Sequence, residues 1–571
     1  MAIAVGLYWP LVHHVRTQFW ADSGDGAAFI WNYWSVPRAV LSLHNPFVTT
    51  AILHPVGVHT AFETNVPLWS MLSWPLARVF GLSGASVVIG LFAVVASGLG
   101  AYLLALRLRC PPWVAFFAGV AFELLPYRTN RIITHLNLIH TEFLVFGIIA
   151  LLDVYRKPGR RQAIVLGAVL GLTFLTDFTY ALMLGVAIVI LVAMRLRSTL
   201  RRQVGMAFLQ AGALTAVISL PLLVPAISDV RHGEYAPPPG LGGAQGYSAD
   251  LVSWIVPYDR QPLWGHAFAT ENANVTGGER VEFTGVVVLG LALAGLFLAD
   301  RRKRDWLVLA VAFGLLSFGP GLHVNGKTGS AFTYEGFKFS IPMPYLLLNG
   351  IPGFKGFRAP ARFGVVASLA LIMLAALALE RLTSRWPRGA IVLPALATLL
   401  VVVEFLPPTT YLAMPVALPA VYQRMASDPD PGAVLDVPLQ FRTGYGVVGD
   451  DTPVPADDSR FMYAATVHRR AMAGGTVPRL PDKRLTALTS IPVYHQILEL
   501  EGDQIDAAPG SPPSFTTGDL NGLGIRFIVD HHENPMPGVV AYLDSLHLPV
   551  YAENGSVTVW KVPPPGGLAA R

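Results

Sequence analysis

Two carboxylates, Asp22 and Asp25, stand three residues apart directly after the first apolar segment of the chain. A carboxylate at a membrane surface is costly unless it is paired, hydrated or used in chemistry. Asp22 or Ser23 can cap the start of a following helix, which would leave Asp25 near backbone N–H groups and the water boundary. We therefore take Asp25, with Asp22 beside it, as the candidate catalytic pair. The alternative is that both aspartates are helix caps.

A second group of polar residues surrounds position 135. It consists of Arg128, Arg131, His135 and Glu142, with Asn137 on the same turns. The first four follow one another at intervals of three, four and seven, so they share one face if the segment is helical. Snorkelling explains an arginine at a membrane boundary, but it does not explain a carboxylate at membrane depth. The pattern predicts a substrate-binding stripe.

A third group begins another predicted helix. Arg358 and Arg362 are four residues apart, and Pro360 between them suits the first helical position. Guanidinium groups beside a helix N-terminus suit a phosphate or diphosphate held bidentately. Headgroup anchoring is the alternative. Asp177 and Tyr180, at a tight turn between two predicted helices, are a weaker part of the same substrate site, and Asp177 could simply stabilise the turn.

Three further side chains are metal ligands by type: His54, His59 and Glu63. Their spacing is not an established zinc pattern, so hydrogen bonding within the loop is the default interpretation. The sequence therefore predicts no definite cofactor and leaves a divalent metal ion open.

The framework that positions these residues has to lie in lipid. Hydrophobic residues make up 53% of the 571 residues, charged residues only 13%, and the mean hydropathy is +0.50. The formal net charge is +5, but Lys and Arg fall in short clusters between apolar runs, which is a topology signal and not a nucleic-acid footprint. Cys110 is the only cysteine, so no intramolecular disulfide can form. We predict a polytopic α-helical membrane protein that contacts membrane lipid and does not bind nucleic acid.

Apolar runs of the length that crosses about 30 Å of hydrocarbon predict about eleven transmembrane helices. Their cores are 1–15, 85–106, 112–126, 138–155, 162–176, 178–194, 204–227, 283–299, 305–319, 361–380 and 389–406. The first is expected to be a transmembrane helix whose upstream end is missing or whose start is misassigned, and not a cleavable signal peptide.

Basic clusters follow the second, fourth, sixth, eighth and tenth of these spans. They include Arg107, Arg109, Arg156, Lys157, Arg160, Arg161, Arg195, Arg197, Arg201, Arg202, the run 301–304, Arg381, Arg385 and Arg388. The positive-inside rule assigns that side to the cytoplasm. Loops 16–84, 228–282 and 320–358 are then exterior, as is everything after about 407. We expect a multi-pass membrane protein with its C-terminal segment outside.

The chain changes character near residue 410, where prolines and short β-like runs replace long apolar segments. We predict a transmembrane domain over 1–409 and an extracytoplasmic α/β domain over 410–571. Strands are predicted at 433–439, 460–468, 526–530 and 556–562, and short helices at 418–427 and 539–546.

Several motifs together resemble a known family. They are Gly24-Asp25-Gly26 with Phe29-Ile30-Trp31-Asn32-Tyr33-Trp34, Asn45-Pro46-Phe47, His54-Pro55-Val56-Gly57, Pro126-Tyr127-Arg128, His135-Leu136-Asn137-Leu138, Asp177-Phe178-Thr179-Tyr180, 357–363, 434–439 and 523–529. In these the chain is similar to bacterial multi-pass proteins described as glycosyltransferase-like members of the GT-C superfamily. The resemblance covers most of the chain and implies a location in a bacterial plasma membrane.

The resemblance implies a GT-C-like transmembrane fold and a sugar donor linked to polyprenyl phosphate or diphosphate on the non-cytoplasmic side. It also implies a catalytic acidic residue in the first exterior loop, where Asp25 stands. The expected reaction is an inverting transfer to a glycan, lipid or protein acceptor. Asp25 would act as general base, and Arg358 and Arg362, with help from Arg128, would hold the departing phosphate.

Two other classes of function remain open. A lipid or polysaccharide transporter also needs polar residues within its bundle, but it should show repeat-related broken helices, and the sequence shows no internal repeat. A non-catalytic membrane assembly protein would need the outer domain and not the acidic loop.

Overall fold

The structure is a computed structural model that describes residues 2–565, except 64, 236, 237, 239, 269, 271–274, 276–278, 352, 444–458 and 503–513. Its internal contacts divide the chain into two units. The first unit comprises Met1–His14, Val87–Pro221 and Pro237–Tyr411. The second comprises Val15–Ser86, Leu222–Ala236 and Leu412–Arg571. Residues 15–86 are thus grouped with the C-terminal segment. The sequence, in contrast, predicts a single domain boundary after residue 409.

The first unit is helical. Its α-helices are Ala2–Leu7, Trp9–His13, Pro112–Glu123, Pro126–Thr129, Glu142–Arg156, Arg160–Thr176, Phe178–Met194, Leu196–Thr199, Val286–Leu298, Lys303–Ser317, Tyr345–Asn349, Gly364–Arg385 and Val392–Glu404. Short 3₁₀ turns occur at Val252–Trp254, Gly265–Phe268, Pro360–Phe363 and Pro387–Gly389, and strands Phe332–Tyr334 and Phe337–Phe339 form an antiparallel pair. Two long helices, Pro67–Arg107 and Arg202–Arg231, contribute residues to both units.

The helix Gly364–Arg385 is the buried centre of the first unit. It packs against Val286–Leu298, Lys303–Ser317 and Pro112–Glu123. Its 22 residues correspond to a length of about 33 Å, close to the thickness of a bilayer core. The element therefore connects groups at opposite ends of the unit.

Every predicted span from the second onward coincides with a helix, whereas the first is divided into Ala2–Leu7 and Trp9–His13. Among the described residues, four helices are long and apolar enough to cross a membrane: Pro67–Arg107, Arg202–Arg231, Pro360–Arg385 and Pro387–Glu404. Two shorter apolar helices are Phe178–Met194 and Val286–Leu298. These helices support a membrane protein, and the count of about eleven spans stays a prediction.

The second unit contains a mixed sheet with short helices. Strand Ala433–Val437 pairs in parallel with Ile525–His531, which pairs antiparallel with Val557–Lys561, and that strand in turn pairs with Val550–Glu553. Smaller sheets pair Val48–Thr49 with Val58–His59 and Phe441–Thr443 with Gly475–Val477. The helices are Asp25–Leu41, Val421–Ser427, Arg460–His468, Asp482–Thr489, Pro492–Glu501, Thr517–Gly522 and Pro537–Ser545.

One predicted strand of this unit is wrong. Residues 460–468 form the helix Arg460–His468, which packs on the helix Asp25–Leu41. Phe461, Ala465 and His468 are buried, and they follow one another at the three- and four-residue intervals of a helical face. Because apolar residues also fill the positions between them, the local pattern concealed the helical period.

Candidate functional site

Glu279 is a buried carboxylate that is contacted by two arginines and a histidine of the first unit. Arg362 binds it bidentately, with Nε donating to Oε2 at 2.5 Å and Nη2 donating to Oε1 at 2.5 Å. Arg131 Nη2 lies 4.0 Å from Oε2 and also donates to the Glu279 carbonyl. His135 Nε2 is 3.5 Å from Oε1. We call Arg131, His135, Glu279 and Arg362 the Glu279 cluster.

The electrostatics of this cluster favour anions. Burial alone would raise the pKa of Glu279, but Arg362, His135 and Arg131 hold that pKa well below its usual range. One carboxylate therefore faces two guanidinium groups and an imidazole. Two guanidinium groups and an imidazole in one largely buried place offer the donor groups that a phosphate can use.

Different elements deliver these side chains. Arg131 follows the short helix Pro126–Thr129, and its guanidinium is held by the Tyr127 carbonyl at 2.8 Å and lies 4.0 Å from the centre of the Tyr127 ring. Arg362 lies in the 3₁₀ turn Pro360–Phe363, immediately before the helix Gly364–Arg385. Glu279 precedes the helix Val286–Leu298.

Arg358 extends the basic character of this region. Its guanidinium lies 5.0 Å from the centre of the Tyr247 ring, and the backbone N–H of Ala361 donates to the Tyr247 carbonyl at 3.0 Å. Arg280 donates to the neighbouring Gly246 carbonyl at 2.9 Å. Arg358 and Arg280 therefore flank one loop that is joined to the turn carrying Arg362.

Glu282, only three residues after Glu279, is in a different electrostatic environment. Its carboxyl group lies against Gly364, where a Cβ atom would overlap with Oε2. Neither of its oxygens has a hydrogen-bond partner within the described chain, and burial raises its pKa well above the usual range. The pKa values of Glu282 and Glu279 are therefore shifted in opposite directions, upward by burial at Glu282 and downward by neighbouring cations at Glu279.

Sequence reasoning missed Glu279. It identified Arg131, His135 and Arg362, but in two separate groups, and the carboxylate that joins them lies 148 residues after Arg131 and 83 before Arg362. The one signal available was its position beside a predicted span, three residues before a second glutamate, Glu282.

The predicted helical stripe is corrected by the structure. The chain is helical only at Pro126–Thr129, passes through turns, and becomes helical again at Glu142, so the stripe does not occupy one helix face. Arg128 is fully buried and donates to the carbonyls of Phe122, Glu123 and Ile139 at 3.1, 2.6 and 3.2 Å. Its Nη2 also donates to Thr141.

The guanidinium group of Arg128 thus donates to the protein's own backbone carbonyls. This favours a structural role for Arg128 over contact with substrate. Glu142 is likewise used internally, since His140 Nδ1 lies 2.8 Å from its Oε1 and Ser97 donates to its Oε2 at 3.4 Å. A role of either residue in binding substrate stays a prediction.

Asp177 and Tyr180 lie at the turn between the helices Arg160–Thr176 and Phe178–Met194, and their role in binding substrate stays a prediction. Its Oδ1 accepts from the backbone N–H of Tyr180 at 2.9 Å as the N-cap of Phe178–Met194, and its Oδ2 accepts from Asn137 Nδ2 at 2.5 Å. The Tyr180 hydroxyl donates to the Leu138 carbonyl at 2.5 Å and lies 3.2 Å from the Tyr127 hydroxyl. These hydrogen bonds stabilise the turns that contain Arg131 and His135.

In the second unit, Asp22 and Asp25 occupy different positions. Asp22 Oδ1 accepts from the backbone N–H of Gly26 at 2.7 Å and so stabilises the first turn of the helix Asp25–Leu41, whose N-cap residue is Gly24. Asp25 is the first residue of that helix and is half-buried. The structure thus separates a carboxylate bonded to the first helical turn from one placed beside the positive end of the helix dipole.

The three candidate metal ligands, His54, His59 and Glu63, each interact with a different partner. His54 Nε2 lies 2.9 Å from the Leu523 carbonyl, and His59 Nδ1 lies 2.6 Å from Asp229 Oδ1. Glu63 accepts from the backbone N–H of Arg479 at 3.0 and 3.1 Å. Within the described residues no group of three or more His, Cys, Asp or Glu side chains is arranged to hold a metal ion.

Two solved structures share the fold of the chain. Arabinofuranosyltransferase AftD from Mycobacteria superposes with a TM-score of 0.57 at 14% identity, covering 98% of this chain and 41% of AftD. ArnT from Cupriavidus metallidurans superposes with a TM-score of 0.53 at 12% identity, covering 98% of this chain and 97% of ArnT. The chain therefore spans about two fifths of the length of AftD. No curated protein matches it in sequence.

A family model described as a domain of unknown function, DUF6311, matches residues 1–404. That match covers more than half of the chain, and the fold it encloses is the GT-C fold of AftD and ArnT. The protein is accordingly a member of the DUF6311 family with a GT-C-like multi-pass membrane architecture.

Proposed function

We propose that the protein is a membrane glycosyltransferase that moves a sugar from a polyprenyl-phosphate donor to an acceptor on the non-cytoplasmic side. The observation that carries the proposal is the fold shared with AftD, an arabinofuranosyltransferase, over 98% of the chain. A fold alone hosts several functions, so the chemistry has to be argued from the side chains.

The Glu279 cluster supports recognition of a phosphate. Arg362 presents its fork to a carboxylate, and the same fork fits two oxygens of a phosphate. A donor phosphate that competes with Glu279 for this fork would also lie beside Arg131 and His135. Stabilising the charge that develops on the leaving phosphate would lower the barrier to transfer.

Asp25 supports the proton transfer. In an inverting reaction the acceptor hydroxyl oxygen bonds to the anomeric carbon, the bond from that carbon to the phosphate oxygen breaks, and the hydroxyl proton passes to a base. Asp25 is the candidate base because Asp22 already accepts from the first turn of the helix. The acceptor is a glycan, a lipid or a protein.

The substitution Asp25→Asn tests this role, with Asp22→Asn as the matched control. The amide keeps the size of Asp25 but cannot take the proton, so turnover of prenyl-phosphate sugars should fall by about 100-fold or more with donor binding little changed. Asp22→Asn should cost mainly helix stability, about 1 kcal/mol. Full activity of a folded Asp25→Asn protein would remove Asp25 from the mechanism.

The substitution Arg362→Lys tests the phosphate site. Lysine keeps the charge but loses the planar fork, so affinity for a prenyl phosphate should fall by about tenfold or more. Arg385→Lys, at the other end of the same helix, is the control. If the parent protein transfers no sugar from any of several prenyl-linked donors, transport or assembly becomes the better interpretation.

A further inference from the structure

A cleft lies at the end of the helix Gly364–Arg385 that is remote from Arg362. It has a volume of about 810 Å³, within the range of about 300–1,000 Å³ that is usual for small-molecule sites. It is surrounded by the C-terminal ends of Pro67–Arg107, Glu142–Arg156, Phe178–Met194 and Gly364–Arg385, and by the loop 300–302. We call it the basic cleft.

Arginines outnumber carboxylates in this cleft, seven against three. Arg302 joins Asp300 and Glu380, each at 2.9 Å, and Arg381 binds Asp300 at 2.6 Å. Hydrogen bonding from Arg302 in particular lowers the pKa of Asp300 to about 2, so this carboxylate is ionised near pH 7. Arg195 pairs with Asp305. Three arginines that line the cleft are therefore held by ion pairs with its carboxylates.

Arg107 and Arg156 pair with Asp153, which leaves two arginines of the cleft outside the ion pairs. Arg109 and Arg301 are exposed, and neither forms an ion pair with any residue that the structure describes. Arg109 follows the helix Pro67–Arg107 with a left-handed φ of 66°, which turns the chain sharply at the mouth of the cleft. The cleft thus combines ion-paired arginines with two exposed guanidinium groups that have no ion-pair partner among the described residues.

Apolar surface adjoins this positive charge. Leu108, Leu152 and Tyr155 line the cleft. On the helices that supply Arg195 and Asp305, Val189 is 67% exposed and Val311 is 52% exposed. A ligand that satisfies both surfaces carries a phosphate at one end and hydrocarbon at the other.

We infer that the basic cleft binds the phosphate headgroup of an anionic phospholipid, with its acyl chains along the neighbouring helices. Guanidinium groups recognise phosphate oxygens in pairs, and basic pockets between the ends of membrane helices are suited to such headgroups. The inference does not depend on the proposed glycosyl transfer, because the cleft and Arg362 lie at opposite ends of one helix.

The experiment measures binding of phosphatidylglycerol and phosphatidylcholine with identical chains to the purified full-length protein, by native mass spectrometry. The parent should prefer phosphatidylglycerol, and the double variant Arg109→Gln, Arg301→Gln should lose about tenfold of that preference. The control is Arg160→Gln, Arg161→Gln, which removes the same charge from exposed positions outside the cleft.

Two results would overturn the inference. One is an equal loss of preference in both double variants, because general surface charge would then explain binding. The other is binding of glycerol phosphate, the same headgroup without chains, as tightly as the lipid, because a soluble phosphate would then be the better ligand. A salt series tests the site without any substitution. The preference of the parent protein for phosphatidylglycerol should disappear between about 0.05 and about 0.5 M salt, because salt screens charge.

Discussion

Glu279 shows how one residue organises a polar site inside an apolar protein. An ionised carboxylate is tolerated there because a bidentate arginine, a second arginine and an imidazole surround it. Its neighbour Glu282 has no hydrogen-bond partner for either oxygen among the described residues, and burial raises its pKa well above the usual range. The pKa values of two carboxyl groups in the same short segment are therefore shifted in opposite directions because their surroundings differ.

The substitution Glu279→Gln should destabilise the protein strongly. It would leave the guanidinium groups of Arg131 and Arg362 buried without their countercharge, at a cost of about 3 kcal/mol or more. Glu335→Gln removes an exposed carboxylate of the same unit and should change stability by less than about 0.5 kcal/mol. Chemical unfolding of both purified variants measures the difference, and equal values would show that the Glu279 cluster contributes little to stability.

His468 should make the second unit sensitive to acid. Burial lowers the pKa of this imidazole to about 4, although Asp436 opposes the shift, and its Nδ1 accepts from the backbone N–H of Arg470 at 3.1 Å. As the pH falls, His468 is therefore protonated in the unfolded chain at a higher pH than in the folded protein. Between about pH 6.5 and the folded-state pKa, acidification should cost about 1.4 kcal/mol per pH unit from this group.

The measurement is the pH dependence of unfolding for the parent and for His468→Gln, with the difference between the two curves assigned to His468. His547→Gln, which alters an exposed histidine of the same unit, serves as the control. Parallel curves for the parent and His468→Gln between pH 4 and 6.5 would contradict the assignment.

At the scale of elements, close helix packing depends on single glycines. A Cβ added at Gly295, in the helix Val286–Leu298, would lie 2.5 Å from the backbone carbonyl oxygen of Leu374 in the helix Gly364–Arg385. The same helix contains Gly290, where an added Cβ has no atom within 4 Å. The pair separates packing from helix propensity, because both glycines have the same helical environment.

Gly295→Ala should accordingly destabilise the protein by about 1–3 kcal/mol, because a backbone carbonyl cannot move aside as a side chain can. Gly290→Ala should be neutral or stabilising by up to about 1 kcal/mol. Thermal unfolding of the two variants compares them directly. A stabilised Gly295→Ala protein would mean that the two helices are not in backbone contact at this point.

At the scale of the whole molecule, the basic clusters predict orientation. Arginines that follow five different spans meet around the basic cleft, as expected if those helix ends share one side. A reporter fused at Lys303 should therefore be active in the cytoplasm, and one fused after Pro408 should be active outside it. Activity of both on the same side would contradict the predicted topology and the non-cytoplasmic transfer that depends on it.

The helices could be predicted because an apolar run long enough to cross a bilayer has little alternative to a helix. Every span after the first falls on one, and the strands near 433, 526 and 557 lie where alternation and β-branched residues indicated them. The helix Arg460–His468 escaped prediction because both of its faces are buried, against the helix Asp25–Leu41 on one side and the sheet core on the other.

The amino-acid sequence by itself determined that this is a membrane protein, where its helices lie and which charged residues are unusual enough to require partners. Only the tertiary structure decided those partners: Arg128 with backbone carbonyls, Asp22 with the N–H of Gly26, and Arg362 with Glu279. Periodicity records which face of a segment is buried, but it does not record which distant segment will cover that face. For charges buried in an apolar protein, the choice of partner comes from packing between segments far apart in the chain.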